Sequence, residues 1–311
     1  VSVPTGVIPP LVTPLTPERE VDEASVERLV EHLVGAGVDG LFVGGSTGEV
    51  ALLGQAHQDR MLRATVRAAG GRVPVYAGTI DTGTERVLDR ARAAQAAGAA
   101  AVVATPPFYV APHPDEVVQH YRRLASALDV PVVAYDIPSA THSPLPLAAL
   151  GQIAADGTVC ALKDSSGDLA KFRAAIETVR GTGIGLLTGS EVFADLALQI
   201  GGTGIVPGLG NVDPHGYVAI QRAVDAGDLG TADEEQRRLI RLFRIIDVAD
   251  RSRIGFTAGA LGAFKAALVL RGVIAGGATM TPLGALSDDE VEQVGAILRS
   301  EGLSTVTGAA L

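Results

Sequence analysis

The chain has 311 residues, 47% apolar and 19% charged, which is ample material for a large core and excludes disorder as its main state. Its 38 glycines and 17 prolines imply more tight turns than a helical bundle uses. A net charge of −10 with no clustered basic face argues against nucleic acid as a partner, and Cys160, the one cysteine, excludes an internal disulfide.

The chain opens Val-Ser-Val-Pro-Thr-Gly, without the cationic start of a signal peptide. Short β-branched runs then recur at Gly6–Leu15, Gly40–Gly45, Val73–Ile80, Ala99–Thr105, Val130–Ile137, Val159–Lys163, Ile184–Leu187 and Gly202–Pro207. Between and after them, helical periodicity marks Glu23–Gly35, Gln55–Ala69, Thr84–Ala97, His113–Leu128, Pro146–Ile153, Leu169–Val179, Glu191–Ile200 and Pro214–Asp225. In the first, Val26, Leu29, Val30, Leu33 and Val34 line one face. Ala93–Pro112, the longest uncharged run, is broken by Pro106 and Pro107 and does not read as a membrane span.

Strict alternation of strand and helix predicts parallel strands with right-handed crossovers, and eight such units close into a (β/α)8 TIM barrel. The open doubly wound alternative lacks a Gly-x-Gly-x-x-Gly after the first strand. Beyond Gly227 the strand pattern stops, and Asp233–Asp250, Gly255–Arg271 and Asp288–Glu301 read as helices, with Gly302–Leu311 a weakly patterned tail. The expected organisation is a barrel catalytic domain over residues 1–227 and a C-terminal helical extension over 228–311.

An active site in such a barrel lies at the C-terminal strand ends. The chain carries three lysines, Lys163, Lys171 and Lys265, against 22 arginines, so a solvated positive charge is normally supplied here by arginine. Lys163 ends the sixth strand, on one face with Ala161 and Ser165. If that face points inward, desolvation lowers the amine's pKa and frees it to attack a carbonyl. The plainer alternative is a surface lysine paired with Asp164. One strand earlier Val133, Tyr135 and Ile137 share a face, bringing the Tyr135 phenol within reach as a proton shuttle, or leaving it as mere packing. Gly44-Gly-Ser-Thr-Gly-Glu49 offers backbone N–H groups and two hydroxyls suited to a carboxylate, though such turns often only solve a backbone problem. Thr105-Pro-Pro-Phe-Tyr-Val110 brings aromatics to the rim, and the glycines of Gly201–Gly210 read as close backbone approach to the substrate or to a subunit neighbour rather than a phosphate site, there being no basic residue nearby. The six histidines and Cys160 show no metal-ligand spacing, and a reducing cytoplasm suits a lone thiol.

Gly44–Glu49, Tyr135-Asp-Ile-Pro138 and Leu162-Lys-Asp-Ser-Ser-Gly167 stand in the order and spacing of the dihydrodipicolinate synthase/N-acetylneuraminate lyase family, which the chain resembles over about residues 5–300. Pro107-Phe-Tyr109 and Gly262-Ala-Phe-Lys-Ala-Ala267 add to the resemblance. It implies a barrel with C-terminal helices, a homotetramer built as a dimer of dimers, and a class I aldolase needing no metal or organic cofactor. It also implies that Lys163 forms the imine with pyruvate, Tyr135 shuttles protons, Ser46 relays them, and Thr47 holds the carboxylate with the Thr47 and Gly48 backbone. Tyr109 matches a tyrosine lent to a neighbouring subunit's site, and Val206 a position whose carbonyl lines the pocket.

The departures bear on substrate. Synthases continue the tyrosine motif to an arginine that grips the aldehyde partner's carboxylate, where this chain has Asp136-Ile-Pro-Ser-Ala140. Thr188-Gly-Ser-Glu191 fits neither the lyase nor the synthase pattern, so Ala140 and Glu191 are taken as substrate-binding positions that differ. Gln55, Gln58 and Thr82 stand where the ligands of the feedback lysine are expected, so that control looks absent. The expected function is a pyruvate-dependent lyase of 2-keto-3-deoxy sugar acids. The alternatives are dihydrodipicolinate synthase, a sugar-acid dehydratase using the same imine, and a non-catalytic 2-keto-acid-binding protein.

Overall fold

The computed structural model describes residues 3–306. Its strands are β1 (Gly6–Val7), β2 (Leu41–Val43), β3 (Val75–Gly78), β4 (Ala101–Ala104), β5 (Val132–Asp136), β6 (Ala161–Asp164), β7 (Gly185–Thr188) and β8 (Gly204–Ile205). All pair in parallel, in the order β1-β8-β7-β6-β5-β4-β3-β2. The ring closes between the continuation of β1 and β2, where Leu11 N–H donates to Phe42 O (2.8 Å) and Phe42 N–H to Pro9 O (3.0 Å). The sheet is the expected (β/α)8 barrel.

Helices α1 (Glu23–Gly35), α2 (Gln55–Ala69), α3 (Thr84–Ala96), α4 (Pro114–Ser126), α5 (Pro138–Thr141), α6 (Leu147–Ala155), α7 (Leu169–Thr178), α8 (Ala194–Gln199) and α9 (Pro214–Asp225) follow the strands. Past the barrel come α10 (Leu229–Phe243), α11 (Phe256–Leu270) and α12 (Asp288–Ser300). Local chemistry starts many of them. Asp22 accepts from Ser25 N–H to cap α1, His113 and Glu116 form a capping box before Pro114 on α4, and Ser287 and Glu290 form another on α12. No described helix is long and apolar enough to cross a membrane.

The differences from expectation have local causes. β1 is two residues rather than a run to Leu15, because Pro9, Pro10 and Pro14 have no N–H to give a ladder. α10 begins at Leu229, four residues early, since Asp228 accepts from Thr231 N–H as its cap, and it ends at Phe243 in a 3₁₀ turn over Arg244–Asp247. α8 starts only at Ala194, leaving Glu191 in the loop before it. α5, one turn started by Pro138, was not expected. The tail expected from Gly302 is described to Val306, and 307–311 lie outside the described residues, as do the first two.

Alternation along the strands divides the core in two. Ile8, Phe42, Tyr76, Val103, Val133, Tyr135, Ala161, Leu187 and Val206 fill the barrel, while Val43, Val102, Ala134, Leu162 and Leu186 face the helices. That division decides which side of β5 and β6 carries chemistry.

Candidate active site

On β6, Ala161 belongs to the barrel interior and Leu162 to the outer layer, so Lys163 points in and Asp164 out. Lys163 is only 4% exposed, which removes the surface pairing with Asp164. The β5–β6 register sets Tyr135 directly opposite Lys163, and the ammonium lies 3.9 Å from the Tyr135 ring centroid and 4.4 Å from that of Phe42. Burial pulls the amine's pKa below the ordinary lysine range, opposed in part by Tyr135 and the Glu191 carboxylate. The site therefore favours the free amine more than water does.

The turn after β2 stands beside this pair. Gly44 takes φ +75°, and a Cβ on Gly78 would lie 2.0 Å from Gly44 O, so the ends of β2 and β3 meet backbone to backbone. Gly45 covers the Phe42 ring, where a Cβ would come within 2.6 Å of it. Ser46–Gly48 form a 3₁₀ turn in which Gly48 N–H donates to Gly45 O (3.0 Å) and Glu49 N–H to Ser46 O (3.1 Å). The Gly48 N–H expected to bind a carboxylate is thus engaged within the turn. The Ser46 and Thr47 N–H groups, at its start, have no carbonyl of the turn to meet. Ser46 is exposed and Thr47 half-buried. Gly78→Ala is expected to push the turn off Phe42 and raise half-saturating pyruvate at least about tenfold in a borohydride-trapping titration, and an unchanged titration would show that the contact does not matter.

In the loop after β7, Glu191 accepts from Gly208 N–H through Oε1 (2.8 Å). Burial raises its pKa, against the Gly208 hydrogen bond and the Lys163 charge. A Cβ at Gly208 would stand 3.0 Å from that oxygen and 3.1 Å from the Phe264 ring, so this glycine meets side chains of its own chain. Val206 is buried inside the barrel. Ala140 lies exposed on α5, and Tyr109, at φ +72°, is 95% exposed on the rim loop, so neither joins Lys163 within this chain.

Sequence reasoning left Asp136 without a role. Its side chain points out of the barrel, opposite Asp164 in the register, where Oδ2 meets Lys171 Nζ of α7 and Oδ1 accepts from Leu145 N–H (3.1 Å). Asp164 takes the N–H and hydroxyl of Ser166 on Oδ1 (2.9 and 2.7 Å), Oδ2 has no partner, and burial raises its pKa. Glu49 and Lys265, which the sequence offers only as members of two separate motifs, form a fully buried ion pair. The scarcity of lysine that singled out Lys163 was an equally good signal for Lys171 and Lys265.

The sequence matches the dihydrodipicolinate synthetase family over residues 3–301. It is 35% identical to a DapA-like lyase of Halobacterium salinarum over 299 residues, covering 96% of this chain and 94% of that one. It is 35% identical to a 4-hydroxy-tetrahydrodipicolinate synthase of Kineococcus radiotolerans over 298 residues, covering 96% and 93%. Among solved structures, the fold is similar to that of YagE, a prophage protein of the dihydrodipicolinic acid synthase family from Escherichia coli K12 in complex with pyruvate (TM-score 0.90, 27% identity, 97% of this chain and 100% of that one). It is also similar to dihydrodipicolinate synthase from Bacteroides thetaiotaomicron (TM-score 0.90, 30% identity, 96% and 100%).

Proposed function

The chain belongs to the dihydrodipicolinate synthetase family, and from that premise we propose that it is a pyruvate-dependent Schiff-base lyase that reversibly makes or breaks a C–C bond in a 2-keto-3-deoxy sugar acid. The observation that carries the reading is the Lys163 amine, buried against the Tyr135 ring with its pKa lowered. Neutral Lys163 attacks the C2 carbonyl of pyruvate, the carbinolamine loses water, and the protonated imine draws electrons from C3. Loss of a C3 proton gives an enamine whose carbon attacks the aldehyde, and water then releases the product and regenerates the amine. Tyr135 carries protons between these intermediates and the new hydroxyl, with Ser46 as relay. Thr47 holds the keto acid's carboxylate through its hydroxyl and N–H, and the Val206 carbonyl lines the pocket.

The polar groups around Lys163 support a hydroxylated acceptor. Ala140 brings no guanidinium, and Glu191 sets a carboxylate close enough to Lys163 to act on its charge. Glu191 accepts hydrogen bonds from hydroxyls and repels an anionic aldehyde. Retro-aldol turnover of 2-keto-3-deoxy sugar acids, followed by pyruvate release, is expected to exceed condensation with aspartate semialdehyde by about 100-fold in kcat/KM. Efficient use of the semialdehyde would instead make this a 4-hydroxy-tetrahydrodipicolinate synthase, the name its Kineococcus relative bears.

In the same reading the enzyme is a cytoplasmic homotetramer, with residues 1–227 as catalytic barrel and 228–311 as helical unit. The exposure of Tyr109 on the rim supports its being lent to a neighbouring subunit's site.

A further inference from the structure

Glu49 and Lys265 are 216 positions apart, and both side chains are completely buried. Glu49 is a non-glycine residue at φ +62°, directly after the Ser46–Gly48 turn, and its own N–H closes that turn on Ser46 O. Its carboxylate is held at both oxygens, Oε1 by Lys265 Nζ (2.5 Å) and Oε2 by Met280 N–H (2.6 Å). Lys265 also donates to Ala278 O (2.6 Å), so α11 and the segment before α12 are joined to the turn through one carboxylate. On the other side, Thr13 Oγ1 donates to Gly48 O (2.8 Å). The residue before Lys265, Phe264, rests against Gly208, whose N–H holds Glu191. One helix outside the barrel thus braces both walls of the mouth above Lys163.

A buried ion pair is a poor source of stability compared with well-packed apolar groups, because both ions are desolvated. What it supplies is direction, since a carboxylate fixed at both oxygens leaves the backbone that carries it little freedom to rotate. We propose that Lys265 is a positioning residue for substrate binding: through Glu49 it holds the Ser46–Gly48 turn in the shape that receives the keto acid's carboxylate. This rests on the lyase reading above, in which Thr47 binds that carboxylate. Lys265 touches neither substrate nor the reacting atoms.

Trapping with pyruvate and borohydride, read as adduct against pyruvate concentration, tests this without any knowledge of the aldehyde. Lys265→Met is expected to raise half-saturating pyruvate at least about tenfold, while adduct yield and the trapping rate at saturation stay within about threefold of the parent. The double variant Glu49→Gln/Lys265→Met removes both charges and guards against a single variant that fails to fold. Its thermal midpoint is expected to return toward the parent's while half-saturation stays shifted, a separation that a merely stabilising pair does not produce. Parent-like half-saturation in a folded variant would overturn the inference alone. Absence of any adduct in the parent would overturn the lyase reading and this inference with it.

Discussion

Lys163→Met is expected to lower pyruvate-dependent turnover by roughly three orders of magnitude or more, because in the proposed mechanism it removes the amine that activates the substrate carbonyl. The same change is expected to make the protein more stable. Burial lowers the Lys163 pKa in the folded chain, so below that value folding carries the full cost of desolvating an ammonium. The cost fades as pH rises toward the ordinary lysine pKa of the unfolded chain. Methionine fills the same space without it and gains about 1–2 kcal/mol near neutral pH, less in alkaline solution. Urea unfolding at several pH values, alongside turnover, checks both halves. A variant no more stable than the parent at any pH would contradict the assigned desolvation, and retained turnover would contradict the assigned nucleophile.

The second large effect is structural. Lys171→Met is expected to cost about 3–5 kcal/mol, since it strands the Asp136 carboxylate, only 2% exposed, without its counter-charge. The neighbouring Asp164 offers no relief, being a carboxyl itself with one oxygen already unpartnered. Asp136→Asn/Lys171→Met should recover most of the loss, as an amide tolerates burial far better than a lone charge. A single variant within about 1 kcal/mol of the parent in urea unfolding would mean that the pair is not the neutralising contact assigned here. Because Asp136 follows Tyr135 on β5, the single variant should also lower kcat, with the double variant restoring it.

The eight-unit barrel follows from periodicity alone, and period-two alternation groups Lys163 with Ala161 and Tyr135 with Val133, but that these faces turn into the barrel is a property of the closed sheet and not of the local pattern. α5 escaped because a single turn after Ile-Pro has no period to detect. Asp136 has no role legible in its motif, because the alternation that turns Tyr135 inward turns Asp136 out to Lys171, 35 positions away. The Gly48 N–H looked free because a motif does not reveal which donors its own turn consumes. The Glu49–Lys265 pair was beyond local reading, as no short-range signal joins residues 216 positions apart. Its one trace was compositional: in a chain with 22 arginines, Lys265 is one of only three lysines.

Borohydride reduction with pyruvate, followed by peptide mass mapping, decides whether Lys163 carries the imine. One reduced adduct is expected, on the peptide carrying Lys163, with Lys171 and Lys265 unmodified because each is held by a carboxylate. An adduct on either of those, or a folded protein with none, would contradict an imine on Lys163.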